Sequence, residues 1–393
     1  MSKTYICSYG RTPIGSFLGS LKSFSAPKLA SKVIKNILNN NSIDSALIDE
    51  VIMGNVLSAG IGQAPARQAS IYSGLSSSTK CLTVNKVCGS GLKSIMIGDQ
   101  SIQLKDSEIV IAGGMESMSQ APYLDKYARQ GAKFGHTELI DSILNDGLWD
   151  PYNDIPMGLC AEKLNKEESY SREEQDQYAI TSYQRSLKSI EEDLFVNEIV
   201  PIQITSKKGT KVIDQDEEPL RFNKDRTLSL NPAFDKNGTI TAANASSLND
   251  GAAAVLLCSK NKMESLKLTP QAKIVSHVSI ATEPIDFTKA PVKAIEVLLK
   301  KTELSINDID LFEINEAFSC VPIYAIKKLG IPIEKINILG GAVSLGHPIG
   351  ASGARILVTL LNALKINNKK YGIASICIGG GEACAILIEN IDE

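Results

Sequence analysis

Short apolar runs that close into glycine recur along the chain. "EIVIAGG" (108–114), "INILGG" (336–341) and "GIASICIGGG" (372–381) predict strands buried on both faces and ending in tight turns. Helical spacing shows elsewhere. In "APVKAIEVLLKK" (290–301), Val292, Ile295, Leu298 and Leu299 share one face and lysines take the other, which predicts a surface helix. "GASGARILVTLLNALK" (350–365) differs, because Ala354, Ile356, Leu357, Val358, Leu360, Leu361 and Leu364 surround the axis. A helix apolar nearly all round belongs between two layers, so the pattern predicts an α/β protein with helices sandwiched between sheets.

From about 120 to 248 this rhythm breaks. "EKLNKEESYSREEQDQYAI" is dense in charge and "DQDEEPLRFNKDRTLSLNPAFDKNG" is polar and rich in turn residues. The expected division is therefore a first half of residues 1–119 plus 249–269, an inserted domain of 120–248 over the top of the core, and a second half of 270–393. "CSKNKMESLKLTPQ" (258–271) reads as the linker between the halves, and no internal repeat is visible in the residues themselves.

Composition narrows the classes. A chain of 393 residues, 43% apolar and 22% charged, has enough core for two or three domains. The net charge is −3 with no basic stripe, so no nucleic-acid partner is expected. Eight scattered cysteines are too few for a disulfide framework at this length, which favours a reducing compartment. "MSKTYICSYGRTPIGSF" carries neither a secretory core nor an arginine-rich presequence, and "ENIDE" is no peroxisomal or prenylation signal. The expectation is a cytoplasmic protein with no membrane partner.

Three glycine turns carry candidate chemistry. Cys88 in "VNKVCGSGLKS" (84–94) is followed by Leu92, Ile95 and Met96 at helical spacing, which puts the thiol at a helix entrance. There unpaired backbone N–H groups and the dipole favour a thiolate, and glycines at 89 and 91 would let a ligand approach the backbone. The competing reading is an inert buried cysteine. His347 in "GGAVSLGHPIGASGAR" (340–355) lies among Gly346, Pro348 and Gly350, which suits a rigid displaying loop better than a structural histidine. Cys377 in "ASICIGGGEAC" (374–384) ends a buried strand, where a core cysteine is the alternative. Asn315 in "FEINEAFS" (312–319) has a turn or capping residue as its alternative. "GASG" and "CGSG" do not match the P-loop, "GIGQAPAR" (60–67) fails the dinucleotide fingerprint at its third glycine, and the spacing of Cys377 and Cys384 is not that of a zinc site.

Taken in order, "RTPIGSF", "GNVLSAGIGQAPARQ", "NKVCGSGLKS", "AGGMESMSQAPY", "NASSLNDGAAA", "NEAFS", "GGAVSLGHPIGASGAR" and "CIGGGEACAI" resemble the thiolase family over nearly the whole chain. Eight motifs in register are a specific signal. "EPIDFTKAPVKA" (283–294) and "EINEAFS" are most similar to its short-chain members, the acetyl-CoA acetyltransferases. The resemblance implies the thiolase fold: two similar α/β halves in five α–β–α–β–α layers, with a loop domain inserted in the first. It implies condensation of two acetyl-CoA to acetoacetyl-CoA and CoA, reversible by thiolysis, through an acetyl-cysteine. CoA thioesters are then substrates, no resident cofactor or metal is expected, and the expected assembly is a homodimer or homotetramer.

Residue by residue, Cys88 matches the nucleophile, His347 the base that takes its proton, and Cys377 the base that takes a methyl proton from the second acetyl-CoA. One oxyanion site would use His347 with a water held by Asn315; another would use the backbone N–H groups of Cys88 and Gly379. Such donors matter most, each supplying roughly 10²–10³ in rate. Ser246 matches a contact of the pantetheine arm, Arg221 an arginine near the nucleotide end, and Met157 of "DIPMGLCAE" a substrate contact. Two positions depart from the short-chain pattern. Pro156 stands where many acetoacetyl-specific relatives have histidine; longer-chain thiolases often have proline there. Glu382 stands where a small or apolar residue is usual, and a carboxylate near a reacting thiol raises its pKa. The alternative enzyme is a broader-range degradative 3-ketoacyl-CoA thiolase. Ketosynthases pair their cysteine with two histidines, or a histidine and asparagine, and Cys377 argues against them. A silent acyl-CoA- or lipid-binding relative would need none of Cys88, Asn315, His347 and Cys377, and all four are present.

Overall fold

The computed structural model describes residues 3–391 apart from 132, 207 and 208. Met1, Ser2, Asp392 and Glu393, in the termini where no targeting signal is expected, lie outside the described residues. The first half runs β1 (Thr4–Arg11), α1 (Ala26–Asn40), β2 (Glu50–Gly54), α2 (Pro65–Ser73), β3 (Lys80–Val84), α3 (Ser90–Leu104) and β4 (Ile109–Ser117). The insertion follows, with its main helices α4 (Met157–Glu168) and α5 (Arg172–Glu191), and β5 (Asn249–Ser259) completes the half. The second half is β6 (Ala272–Ala281), α6 (Ala290–Thr302), β7 (Leu311–Ile314), α7 (Cys320–Leu329), α8 (Ile349–Ile366), β8 (Tyr371–Ile378) and β9 (Glu382–Asn390).

The strand order is β3-β2-β4-β5-β1 in the first half and β7-β8-β9-β6 in the second. The two join edge to edge where Tyr5 and Ile6 of β1 pair with Lys273 and Ala272 of β6. α1 and α2 cover the outer face of the first half and α6 and α7 that of the second, while α3 and α8 lie between. The layering is thus α–β–α–β–α. The middle core packs Leu92, Ile95 and Met96 of α3 with Ile356, Leu357 and Leu360 of α8. Every residue of α8 from Ile349 to Leu364 is buried, as its all-round apolar pattern predicts. α6 is one-faced, burying Ile295 and Leu298 while Lys293 and Lys300 face water.

Three expectations need correction. "INILGG" is not a strand. Ile336 makes a single parallel bridge to Phe312, and then Asn337 turns the chain with φ at 46°. The Asn337 side chain takes over the ladder: its Oδ1 accepts from Ile314 N–H at 2.8 Å and its Nδ2 donates to Ile314 O at 2.8 Å. An asparagine that tolerates the left-handed region and carries both a donor and an acceptor can end a strand this way. The 258–271 connection also has more structure than a linker, because Cys258 and Ser259 finish β5 and Lys260–Ser265 form a short helix capped by Ser259.

The third concerns the glycines. Gly91 serves helix packing rather than ligand approach, since a Cβ there would lie 2.7 Å from Ala354 N on α8. A Cβ on Gly353 would in turn lie 2.5 Å from Leu92 N on α3. The two central helices therefore touch backbone to backbone at their first turns. Gly89 is filled from the other side, where a Cβ would strike Ile378 Cδ1.

The charged insertion contains real helices. "SREE" is a helix start, with Ser171 Oγ accepting from Glu174 N–H at 3.1 Å and Glu173 and Glu174 in the first turn. Inside, Tyr178 and Ser182 of α5 donate to Glu316 at 2.9 and 2.8 Å. Arg11 at the end of β1 binds Glu198 at 2.5 Å and Asp216 at 2.7 and 2.9 Å, all fully buried. A buried cluster of this kind is costly to break from one side, which pins the insertion to the first half.

Candidate active site

The close crossing of α3 and α8 brings their N-termini together. Cys88 sits two residues before α3 and His347 two residues before α8, and both line one pocket of about 210 Å³. Gly379, Met157 and Ser246 line it too, with an apolar wall that includes Met118, Leu144, Leu148, Phe234, Phe318 and Ile349. Cys377 is buried at the end of β8, close enough to Cys88 that a charge on Cys88 raises it. Asn315 is buried at the end of β7, with neither Nδ2 nor Oδ1 hydrogen-bonded. A buried amide left open on both ends is a place for a bridging water. Arg221 is not in this group. It is exposed, 3.8 Å from Glu218, in a separate groove with Tyr183, Phe222, Asn223 and Arg226.

The turn that carries Cys88 is strained and clamped. Val87 has φ at 46°, unusual for a β-branched residue. Ser90 Oγ accepts from Lys86 N–H at 2.8 Å and donates to Val87 O at 2.6 Å, and Asn85 Oδ1 accepts from Val87 N–H at 3.0 Å. The half-buried thiol faces the N–H of Gly379 and its own N–H, both of which favour a thiolate. Burial is nevertheless the largest influence and lifts Cys88 to about 11. In a dry pocket desolvation outweighs the helix entrance, so the thiol needs a base to take its proton, the part the resemblance assigns to His347. Burial, followed by Cys88 and Cys320, also lifts Cys377 well above the ordinary thiol range.

His347 is held at two points. Its backbone N–H donates to Asn249 Oδ1 at 2.9 Å, and its ring Nδ1 lies 2.5 Å from Ser352 Oγ. Ser352 donates its own proton to Pro348 O at 2.9 Å, so its lone pairs face the ring and Nδ1 carries the hydrogen. Nε2 is left as a lone pair, buried and without a partner. Burial, and then the charge of Arg355, pull the ring down to about 3, so it is neutral at physiological pH. The site therefore pairs a protonated thiol with a neutral imidazole whose free nitrogen is the basic one.

The residues missed from sequence are those that support these groups. Glu116 is fully buried and accepts from Asn55 Nδ2 at 2.7 Å, Val56 N–H at 3.1 Å, Leu57 N–H at 3.3 Å and Gly350 N–H at 3.0 Å. It thereby holds the first turn of α8 beside His347. Asn249 and Ser352 fix the histidine. An acid between methionine and serine in "GGMESMS", on an otherwise apolar strand, was the available signal. Glu382, the unusual acid after the glycines, forms an ion pair with Lys86. It is not among the main influences on either Cys88 or Cys377.

Family models described as "Thiolase, N-terminal domain" and "Thiolase, C-terminal domain" match residues 4–261 and 268–390. An acetyl-CoA acetyltransferase of Yarrowia lipolytica is 49% identical over 391 residues, covering 100% of this chain and 97% of that one. Among solved structures, a thiolase from Ascaris suum in complex with coenzyme A is 46% identical, with a TM-score of 0.94 over 99% of this chain and 100% of that one. Human mitochondrial 3-ketoacyl-CoA thiolase is 38% identical, with a TM-score of 0.96 over 99% of each chain.

Proposed function

The chain belongs to the thiolase family, and from that premise we propose that it is an acetyl-CoA C-acetyltransferase joining two acetyl-CoA into acetoacetyl-CoA and CoA. The observation that carries this reading is the meeting of Cys88, His347 and Gly379 on one pocket, with Cys377 beside the nucleophile. The thioester oxygen of the first acetyl-CoA takes the N–H groups of Cys88 and Gly379. With the thiol raised and the imidazole lowered, separate ionisation is unfavourable, so the proton passes to His347 Nε2 as Sγ attacks the carbonyl. CoA leaves as a thiolate and takes the proton of Cys377. That leaves acetyl-Cys88, a Cys377 thiolate and an imidazolium.

Those three species are what the second step needs. Cys377 removes a methyl proton from the second acetyl-CoA. The enolate oxygen receives the proton-bearing Nε2 and the water held by Asn315. The carbanion attacks acetyl-Cys88, and the departing Cys88 sulfur recovers its proton from Nε2. Protons balance, and each group returns to its resting form. CoA thioesters are substrates throughout, and no resident cofactor takes part. Ser246, whose Oγ donates to Ala317 O at 3.0 Å on the pocket wall, lies along the pantetheine arm with Met157. Arg221, with Arg226 in its separate groove, serves the nucleotide end.

Pro156 and the leucine-rich wall formed by Leu144 and Leu148 favour a second reading, a thiolase of broader chain length working in the degradative direction. CoA-dependent cleavage of acetoacetyl-CoA and of a C8–C10 3-ketoacyl-CoA separates the two. Cleavage of acetoacetyl-CoA alone is the expected result; equal or faster cleavage of the longer substrate establishes the second reading.

We also propose a homodimer or a tetramer of dimers. β3 is an edge strand with Leu82 exposed, and Ile71 and Tyr72 of α2 are exposed beside it. Tyr123, Tyr127, Phe134 and Leu139 of the insertion are exposed as well. A cytoplasmic location is supported by eight free cysteines. Of the described residues, only α8 forms a helix long and apolar enough to cross a membrane, and it is buried between the sheets.

A further inference from the structure

The acyl-thioester oxyanion site has one donor from each half of the molecule, the N–H of Cys88 and the N–H of Gly379. Its geometry therefore depends on how the turn 85–89 is fastened to the turn 378–382. The two meet along a short seam. Gly89 is packed by Ile378, and Val87 Cγ1 lies 3.7 Å from where a Cβ of Gly379 would stand. These contacts are apolar and undirected. A directed contact inside the seam, Gly379 N–H to the Cys88 thiol, is given up to the thioester oxygen when substrate binds. Among the described residues, the charged link across the seam is at its outer end, where Lys86 Nζ pairs with Glu382, two residues before the nucleophile and three after Gly379. Gly380 and Gly381 between them have φ of 90° and 84°, and Gly381 O accepts from Thr282 N–H at 2.7 Å and Thr282 Oγ1 at 2.8 Å, which holds this turn to β6 and not to the turn 85–89. Lys86 is itself anchored, because its N–H is bound by Ser90 Oγ at the start of α3.

We propose that the Lys86–Glu382 ion pair is a positioning device that sets the span between the Cys88 and Gly379 oxyanion donors. Glu382, which resembled a liability beside two reacting thiols, acts through its partner instead. The proposal rests on the thiolase reading of the site. It differs from an ordinary half-exposed ion pair in what its loss affects. An ordinary pair of this exposure contributes little to stability. A displaced oxyanion donor slows chemistry, by a fraction of the roughly 10²–10³ that losing the donor would bring.

The test is the rate of Cys88 acetylation by acetyl-CoA, followed by rapid quench and peptide mass spectrometry on the full chain. Glu382→Gln and Lys86→Met should each slow acetylation roughly fivefold to tenfold, that same fraction of a donor's effect. KM for acetyl-CoA and the unfolding temperature should hardly change. The reversed pair, Lys86→Glu with Glu382→Lys, should recover at least half of the wild-type rate. Added salt should slow the wild type and leave Glu382→Gln unchanged. Singles within twofold of the wild type, or a reversed pair no faster than the singles, overturn the proposal and leave the thiolase reading intact. A wild type that forms no acetyl-Cys88 overturns the reading, and the proposal with it.

Discussion

The two halves solve the same construction differently. In each, a strand leads through a turn into a central helix. In the first half, five residues separate β3 from α3 and deliver Cys88. In the second, twelve residues separate the Ile336 bridge from α8 and deliver His347. The strand orders correspond, with Ile336 standing where β3 stands, so thiol and imidazole occupy equivalent places about the join of β1 and β6. The short turn is strained at Val87 and leaves its sulfur half-exposed. The long one buries its histidine, with Nδ1 partnered and Nε2 left open. On the proposed reading the difference fits the roles, since a nucleophile must reach substrate, whereas a base must keep one orientation. The neighbouring strand ends differ as well. Gly54 pairs with Gly114 and Ile314 with Ser375, which makes Glu116 and Cys377, each two residues on, counterparts. One carboxylate holds backbone; the other position carries a thiol free to exchange a proton.

The sharpest way to break this comparison is to remove each sulfur. Cys88→Ala should lose both half-reactions, by on the order of 10⁴ or more, as removal of a catalytic nucleophile does elsewhere. Cys377→Ala should still acetylate Cys88 and lose carbon–carbon bond formation. Peptide mass spectrometry after acetyl-CoA, beside the condensation rate, reads both. Absence of acetyl on Cys88 in the Cys377 variant would break the division of roles between the two sulfurs.

Much of this was legible in the sequence because it is carried by local pattern. The all-round apolar α8, the glycine turns and the three candidate residues Cys88, His347 and Cys377 announce themselves within ten or so positions. What stayed hidden is long-range. Nothing near residue 116 says that its carboxylate will meet Gly350. Nothing in "CGSG" or "GASG" says that Gly91 and Gly353 are there for each other's helices rather than for a ligand. The repeat was invisible because it survives in strand order and not in residues; one half keeps a five-residue β3 where the other keeps a single bridge. "INILGG" failed as a strand because the decisive bonds belong to an asparagine side chain. How far desolvation offsets the helix entrance at Cys88 was not legible, because the entrance is local, whereas desolvation is set by the whole pocket wall.

A smaller effect sharpens the contrast at His347. Ser352→Ala removes the acceptor that keeps the hydrogen on Nδ1, so the ring can turn its lone pair away from Cys88. The expected loss in kcat is roughly tenfold, part of the ~10²–10⁴ that a positioned base supplies, with KM little altered. Ser352→Thr should recover most of it. A Ser352→Ala enzyme at full speed would mean that Asn249 and the pocket wall hold the ring unaided.

The smallest effect belongs to Glu116, where two influences oppose. Four N–H groups favour its carboxylate; burial, the larger, lifts it from 4.5 to about 7, with Asp250 adding repulsion. The unfolded chain has no such shift, so between pH 4.5 and 7 the folded state holds the extra proton. Stability from this group is greatest below the unfolded value and falls as pH rises through about 7. Between pH 5.5 and 8 the fall is at most about 2 kcal/mol, at roughly 1.4 kcal/mol per unit. Urea denaturation of the wild type and of Glu116→Gln at those two pH values isolates it. The wild type should lose more stability on going to pH 8 than the variant does. Equal losses would mean that the four donors win and Glu116 stays ionised, making it a permanent anion at the first turn of α8. In that event the two halves would differ at this strand end by a fixed charge as well as by chemistry, and Cys88 would work against that charge in every turnover.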